Sequence, residues 1–184
     1  MLSLFWLLPI INTTIALGSL VLLLVTSFFI YDLMWRGGSI VKDRIAPFLW
    51  ILITGVSLAG VGLSLVYSEI FLFVPCSLCW LQRIALYPQA LMALMAYKTK
   101  DSVHFPRYGI ALSFGGLLVS LYQYVYQMLP AETRDGLMPC LADGSASCAD
   151  KVIDMFGFVT FPFVSAVTFA FLITLYRYLQ LQNK

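Results

Sequence analysis

Apolar residues fall into five long stretches, roughly 4–31, 48–67, 76–97, 108–129 and 156–179, separated by polar segments. A helix needs about 20 mostly apolar residues to cross a bilayer core. The pattern therefore predicts an all-α chain of five membrane-spanning helices. The connections are Asp32–Pro47 with a Gly37-Gly38 turn signal, Ser68–Pro75, Lys98–Arg107, and a long stretch from Pro130 to about Asp154. No repeat, low-complexity tract or soluble domain interrupts this plan.

Within the spans a few residues break the apolar pattern. No Lys or Arg precedes the first stretch, and Phe28-Phe29-Ile30-Tyr31-Asp32 lacks a small-residue cleavage site, so a retained span is expected rather than a signal peptide. Pro9 and Asn12 bring helix-breaking and polar character to its outer end. Asn12-Thr13-Thr14 fits the glycosylation pattern only formally, because it lies inside a span. Gly55, Ala59, Gly60, Gly62 and Ser64 in the second stretch predict close helix contact. Pro88 removes a backbone donor in mid-helix, which predicts a kink and space for a ligand.

Composition agrees with the pattern. The 184 residues are 61% hydrophobic and 11% charged, with a mean hydropathy of +0.90, so the bilayer is the solvent of this chain. The net charge of +2 says little, but the placement of charge says more. Arg36, Lys42, Arg44, Lys98, Lys100, Arg107, Arg177 and Lys184 fall on one side of a five-span arrangement, and Arg134 and Lys151 on the other. Positive residues gather on the cytoplasmic side. The expectation is a multi-pass membrane protein with an outer N-terminus and an inner C-terminus. All four cysteines then lie on the oxidising side.

Those cysteines form two close pairs, Cys76/Cys79 and Cys140/Cys148. In Cys76-Ser77-Leu78-Cys79-Trp80-Leu81-Gln82-Arg83, two residues separate the thiols, a spacing suited to a disulfide or a redox dithiol. Pro75 suits the start of a helix, whose positive end favours thiolate. Arg83 follows Cys79 by four residues and shares its helical face. An arginine within a span marks a functional site by its cost. One pair at a helix mouth and one on a loop suit a relay of thiol–disulfide exchange; two static bridges stapling the outer loops are the alternative. A metal site is disfavoured, because four thiolates with no nearby histidine would compete with oxidation. No haem, flavin or nucleotide motif offers an exit for electrons, so a lipid-soluble quinone is the economical acceptor. Arg83 would bind it, or would instead snorkel to the outer headgroups.

The segment Gly62 to Leu91, with Val74-Pro75-Cys76-Ser77-Leu78-Cys79-Trp80-Leu81-Gln82-Arg83 at its centre, resembles the DsbB family of bacterial membrane thiol oxidases, and most of all its BdbC-type branch. Cys140, Cys148 and Phe156-Gly157-Phe158-Val159-Thr160-Phe161-Pro162 fit the same pattern, and the likeness covers about residues 46–180. The resemblance implies a four-helix transmembrane bundle over 46–184 with a redox loop at 130–155. It implies that Cys140 forms a mixed disulfide with an extracytoplasmic thioredoxin-fold thiol oxidase (DsbA-like), and that Cys148 resolves it toward Cys76. It implies that Cys79 meets the quinone, ubiquinone or menaquinone, beside Arg83. Catalytic roles are thus expected for Cys76, Cys79, Cys140 and Cys148, and cofactor binding for Arg83 and Cys79, with no metal and no nucleic acid.

Residues 1–45 are an addition to that architecture, an extra N-terminal transmembrane helix and cytoplasmic linker expected to pack on the bundle. His104 falls on the cytoplasmic side, away from an outer-leaflet quinone. Tyr122, Gln123, Tyr126 and Gln127, near the outer end of the fourth stretch, are candidate polar neighbours of the quinone, with ordinary interfacial anchoring the more expected role. Val152, Ile153, Met155 and Phe156 are expected to form an interfacial apolar face under the loop.

Overall fold

The computed structural model describes residues 6–39, 44–134 and 147–182. Five long helices dominate it. The first, α1, is Leu8–Trp35, with Pro9 in its first turn where a missing N–H costs nothing. Helix α2 is Leu49–Leu65, entered through a 3-10 turn at Ala46–Phe48 and continued by a π-helical turn at Val66–Ile70. Helix α3 is Ser77–Thr99 and α4 is Phe105–Met128. A single turn, α5 (Ala131–Arg134), precedes the described part of the long loop, and α6 (Phe161–Leu181) ends the fold.

Among the described residues, four helical stretches are long and apolar enough to cross a membrane: Leu8–Trp35, Ala46–Ile70, Phe105–Met128 and Phe161–Leu181. Helix α3 equals them in length with 23 residues but is less apolar. Its polar side chains turn toward partners on other helices, the arrangement that polar groups in a membrane bundle require. Gln89 is fully buried, and its Oε1 accepts Ser113 Oγ at 2.9 Å and Tyr176 OH at 3.0 Å. Its Nε2 donates to Ala85 O at 2.9 Å. This one amide ties α3, α4 and α6 together beside Pro88, and α3 continues through the proline.

Helix α6 is the centre of the bundle. Its apolar window is 61% buried, against 22–28% for the other three. Leu172, Leu175, Tyr176, Tyr178 and Leu179 are fully enclosed. Helix α4 approaches it most closely, with Gly109 against the Tyr176 ring and Gly116 against the Phe169 ring. The glycines expected to pack in α2 behave differently. A Cβ on Gly60 would meet Leu86 at 2.9 Å, but at Gly55 and Gly62 nothing lies within 4 Å. Close approach therefore belongs mostly to α4, where the facing residues are large rings.

Helix α1 packs on α6 as a fifth member. Phe29 meets Phe171 and Tyr178, with ring centroids 5.8 and 5.6 Å apart. The Tyr178 hydroxyl lies 2.9 Å from Phe29 O and 3.0 Å from Oδ2 of buried Asp32. At the same end, Asp101 Oδ1 accepts the N–H groups of His104 (2.9 Å) and Val103 (3.2 Å), which start α4 and hold its carboxyl below the usual range.

The last helix begins later than its hydrophobicity indicates. Residues 154–160 form a small antiparallel hairpin, β1 (Asp154–Met155) and β2 (Val159–Thr160), with Asp154 opposite Thr160. Phe156 (φ 57°) and Gly157 (φ 76°) make its turn in the left-handed region. The all-α plan thus carries one short β addition, and Pro162 then falls in the first turn of α6.

Candidate functional site

Cys76 is the N-cap of α3. Its backbone is extended, and its Sγ accepts the Cys79 N–H at 3.4 Å, so a sulfur occupies the place where a hydroxyl commonly caps a helix. The two sulfurs of this pair are 2.9 Å apart and both are free thiols. A disulfide bond is about 2.05 Å long, so the pair closes with roughly an ångström of movement. Cys76 is buried and Cys79 is half-buried.

Gln123 of α4 lies over the pair, with Nε2 3.4 Å from Cys76 Sγ and 3.6 Å from Cys79 Sγ. Gln82 Nε2 donates to Gln123 Oε1 at 2.7 Å, which fixes the direction of that amide. A donor held here binds a sulfur more strongly when the sulfur carries negative charge. Arg83 stands one turn further into the helix. Its Nη2 donates to Ser64 O on α2 at 3.0 Å, and its guanidinium lies 5.2 Å from the Trp80 ring centroid. Cys76, Cys79, Arg83 and Gln123 all line a cavity of about 520 Å³, whose other walls include Leu63, Leu86 and Phe169.

The second cysteine pair is described in part. Cys148 is buried and disulfide-bonded, with Sγ 3.7 Å from Ser77 Oγ, the residue after Cys76. Gln127 Nε2 donates to Cys148 O (3.1 Å) and Asp150 O (3.2 Å), pinning this segment over the mouth of α3. Cys140 and the intervening residues 141–146 lie outside the described residues.

Two expectations change here. Gln123 and Gln127 are not interfacial anchors: they are 2% and 4% exposed and hold sulfur and loop. Their signal in the sequence is the stripe Ser113, Gly116, Ser120, Gln123, Gln127, whose spacing of three and four marks one helix face. Tyr122 and Tyr126 stack on one another instead, 6.4 Å between centroids. Ile153 is fully buried and Val152 lines the cavity, so the apolar face expected under the loop reduces to exposed Phe156, joined by Phe158. His104 sits at the start of α4, the opposite end from the cysteines.

The model of the family described as disulfide bond formation protein DsbB matches residues 46–179. The chain belongs to the DsbB family. Among relatives of this DsbB-family chain is the probable disulfide formation protein C of Halalkalibacterium halodurans, 41% identical over 58% of this chain and 74% of the relative. The SPbeta prophage-derived disulfide bond formation protein B of Bacillus subtilis is 36% identical over 70% of this chain and 83% of its own. A probable disulfide formation protein C 2 of Bacillus anthracis is 31% identical over 75% and 92%. No solved structure matches. Membership of the DsbB family together with the apolar helices makes this a multi-pass membrane protein of disulfide formation.

Proposed function

We propose that this protein oxidises an extracytoplasmic thioredoxin-fold dithiol and passes the electrons to a membrane quinone. The observation that carries the reading is the placement of the Cys76/Cys79 sulfurs, 2.9 Å apart, in the wall of an apolar cavity beside Arg83. The cysteines face away from the cytoplasm in this reading. Arg36, Arg44, Lys98, Lys100, Arg107 and Arg177 gather at the opposite end, as the positive-inside rule requires. Residues 46–184 form the redox bundle and residues 1–45 an additional helix and linker.

The exchange balances as follows. A partner thiolate attacks Cys140 of the Cys140–Cys148 disulfide, forming a mixed disulfide and releasing Cys148 as thiolate. Cys148, held beside Ser77 by Gln127, attacks Cys76 of the Cys76–Cys79 disulfide and releases Cys79 as thiolate. The partner's second thiol then frees Cys140, which closes on Cys148 and releases Cys76. The partner has lost two electrons and two protons, and Cys76/Cys79 is a dithiol. Gln123 gives the released sulfurs a donor at each stage.

The cavity fits a quinone. Its volume lies within the roughly 300–1,000 Å³ of small-molecule sites, its lining is mainly apolar, and Arg83 supplies a cation with donors beyond the one given to Ser64. A quinone bound there supplies the two-electron, two-proton acceptor for closure of the Cys76–Cys79 disulfide. Arg83 and Cys79 would hold it.

The test is quinone reduction by purified protein fed with a reduced thioredoxin-like partner. Wild type is expected to turn over, Cys79→Ser to be inactive, and Arg83→Ala to show a quinone KM raised about tenfold. Absence of turnover with both ubiquinone and menaquinone, the two disulfides being intact, would leave a membrane protein with structural bridges.

A further inference from the structure

Asn12 is costly where it stands. It lies in a helix whose neighbours are Ile10, Ile11, Ile15 and Ala16, and an amide in lipid needs a partner on another helix. Its partner is Tyr67: the Tyr67 hydroxyl donates to Asn12 Oδ1 across the gap between α1 and the π-helical end of α2. Tyr67 is itself buried, 4% exposed, and a buried phenol likewise requires an acceptor. Each residue answers the other.

The pair sits at the cavity. Tyr67 lines it, and so does Ile15, one turn along α1 from Asn12. The Tyr67 ring stands edge-on to Phe161 at 4.6 Å and stacks on Phe73 at 6.1 Å, both also in the cavity wall. The π-helical turn that carries Tyr67 is a geometry found often at functional sites. Helix α1 is positioned independently of this contact, through Phe29, Asp32 and Tyr178 at its other end. These residues of α1 lie outside the 46–179 segment that the family shares.

We propose that α1 is a wall of the quinone cavity, and that Asn12, by fixing Tyr67, is a positioning residue for quinone affinity. The proposal rests on the quinone reading above. The hydrogen bond holds the Tyr67 ring against Phe161 and Phe73, so the apolar walls keep one shape. Loss of either partner leaves the other polar group seeking a new one and loosens the wall that grips the quinone.

Binding of a short-chain ubiquinone and a short-chain menaquinone is measured by quenching of intrinsic tryptophan fluorescence, alongside turnover. Asn12→Leu and Tyr67→Phe each remove the same bond. Each is expected to raise the quinone Kd and KM about 3- to 10-fold, with kcat unchanged. The double variant is expected to match the singles, because one interaction is lost once. Reduction of Cys76/Cys79 by dithiothreitol is expected to stay at the wild-type rate. Should Asn12→Leu fail to fold, Tyr67→Phe, which keeps the ring, decides alone. Wild-type binding with unchanged affinity in the variants, or additive effects in the double, overturns the proposal. A wild type that binds and reduces neither quinone overturns the quinone reading itself, and the proposal with it.

Discussion

Gln127 concentrates a consequence in one amide. Its Nε2 serves the carbonyls of both Cys148 and Asp150, so one side chain gives two hydrogen bonds to the loop segment over α3. Gln127→Glu keeps the shape but replaces the donor with an oxygen facing two carbonyls. Breaking a buried hydrogen bond of this kind costs about 1–3 kcal/mol. Partner-driven quinone reduction is expected to fall about tenfold, while reduction driven by dithiothreitol, which reaches Cys76/Cys79 without the loop, is expected to hold. Parallel steady-state assays with the two reductants check this, and equal losses in both contradict it. The placement of Cys76, Cys79 and Arg83 together was legible from their spacing on one helix. Gln123 and Gln127 were legible only as candidates, because a polar residue near a helix end anchors to an interface as readily as it serves a site. Only the shared face with Ser113, Gly116 and Ser120 separates the two roles. Asn12 was hidden for a related reason: its partner stands 55 residues away in the chain.

Among the elements, the contact of α4 with α6 sets the geometry of the site, since α4 carries both glutamines. Gly116 lies against the Phe169 ring, and a methyl group there has no space unless the ring moves. Gly116→Ala is expected to destabilise the protein by about 1–3 kcal/mol, the usual cost of overpacking. Gly55→Ala, where nothing lies within 4 Å, is expected to be near neutral. Thermal unfolding of both variants in detergent measures the difference; equal midpoints would contradict the packing account. Helix existence and order were legible from hydropathy, but glycine content alone did not tell a packed glycine from a lipid-facing one. The start of α6 was displaced because Phe156 and Phe158 read as span residues while their backbone turns through a hairpin. Helix α3 was legible as a long, largely apolar stretch, but its hydropathy falls short of the other four because its polar groups face partners inside the bundle.

For the whole molecule, one end gathers Cys76, Cys79, Cys148, the glutamine clamps and the cavity, and the other gathers Arg36, Arg44, Lys98, Lys100, Arg107 and Arg177. In the proposed reaction that asymmetry sets the direction of the electrons, from a loop pair to a helix pair to quinone. In the proposed reaction Cys76 and Cys79 pass their electrons to quinone, and thiol alkylation during a single turnover reads that step. Quinone-stripped protein is reduced without oxygen by a thioredoxin-like dithiol, quinone is added, and free thiols are counted by mass after trapping. Wild type is expected to pass from reduced to fully disulfide-bonded on quinone addition, and Cys79→Ser to keep its thiols. A wild type whose Cys76 and Cys79 remain reduced beside excess quinone would contradict the account.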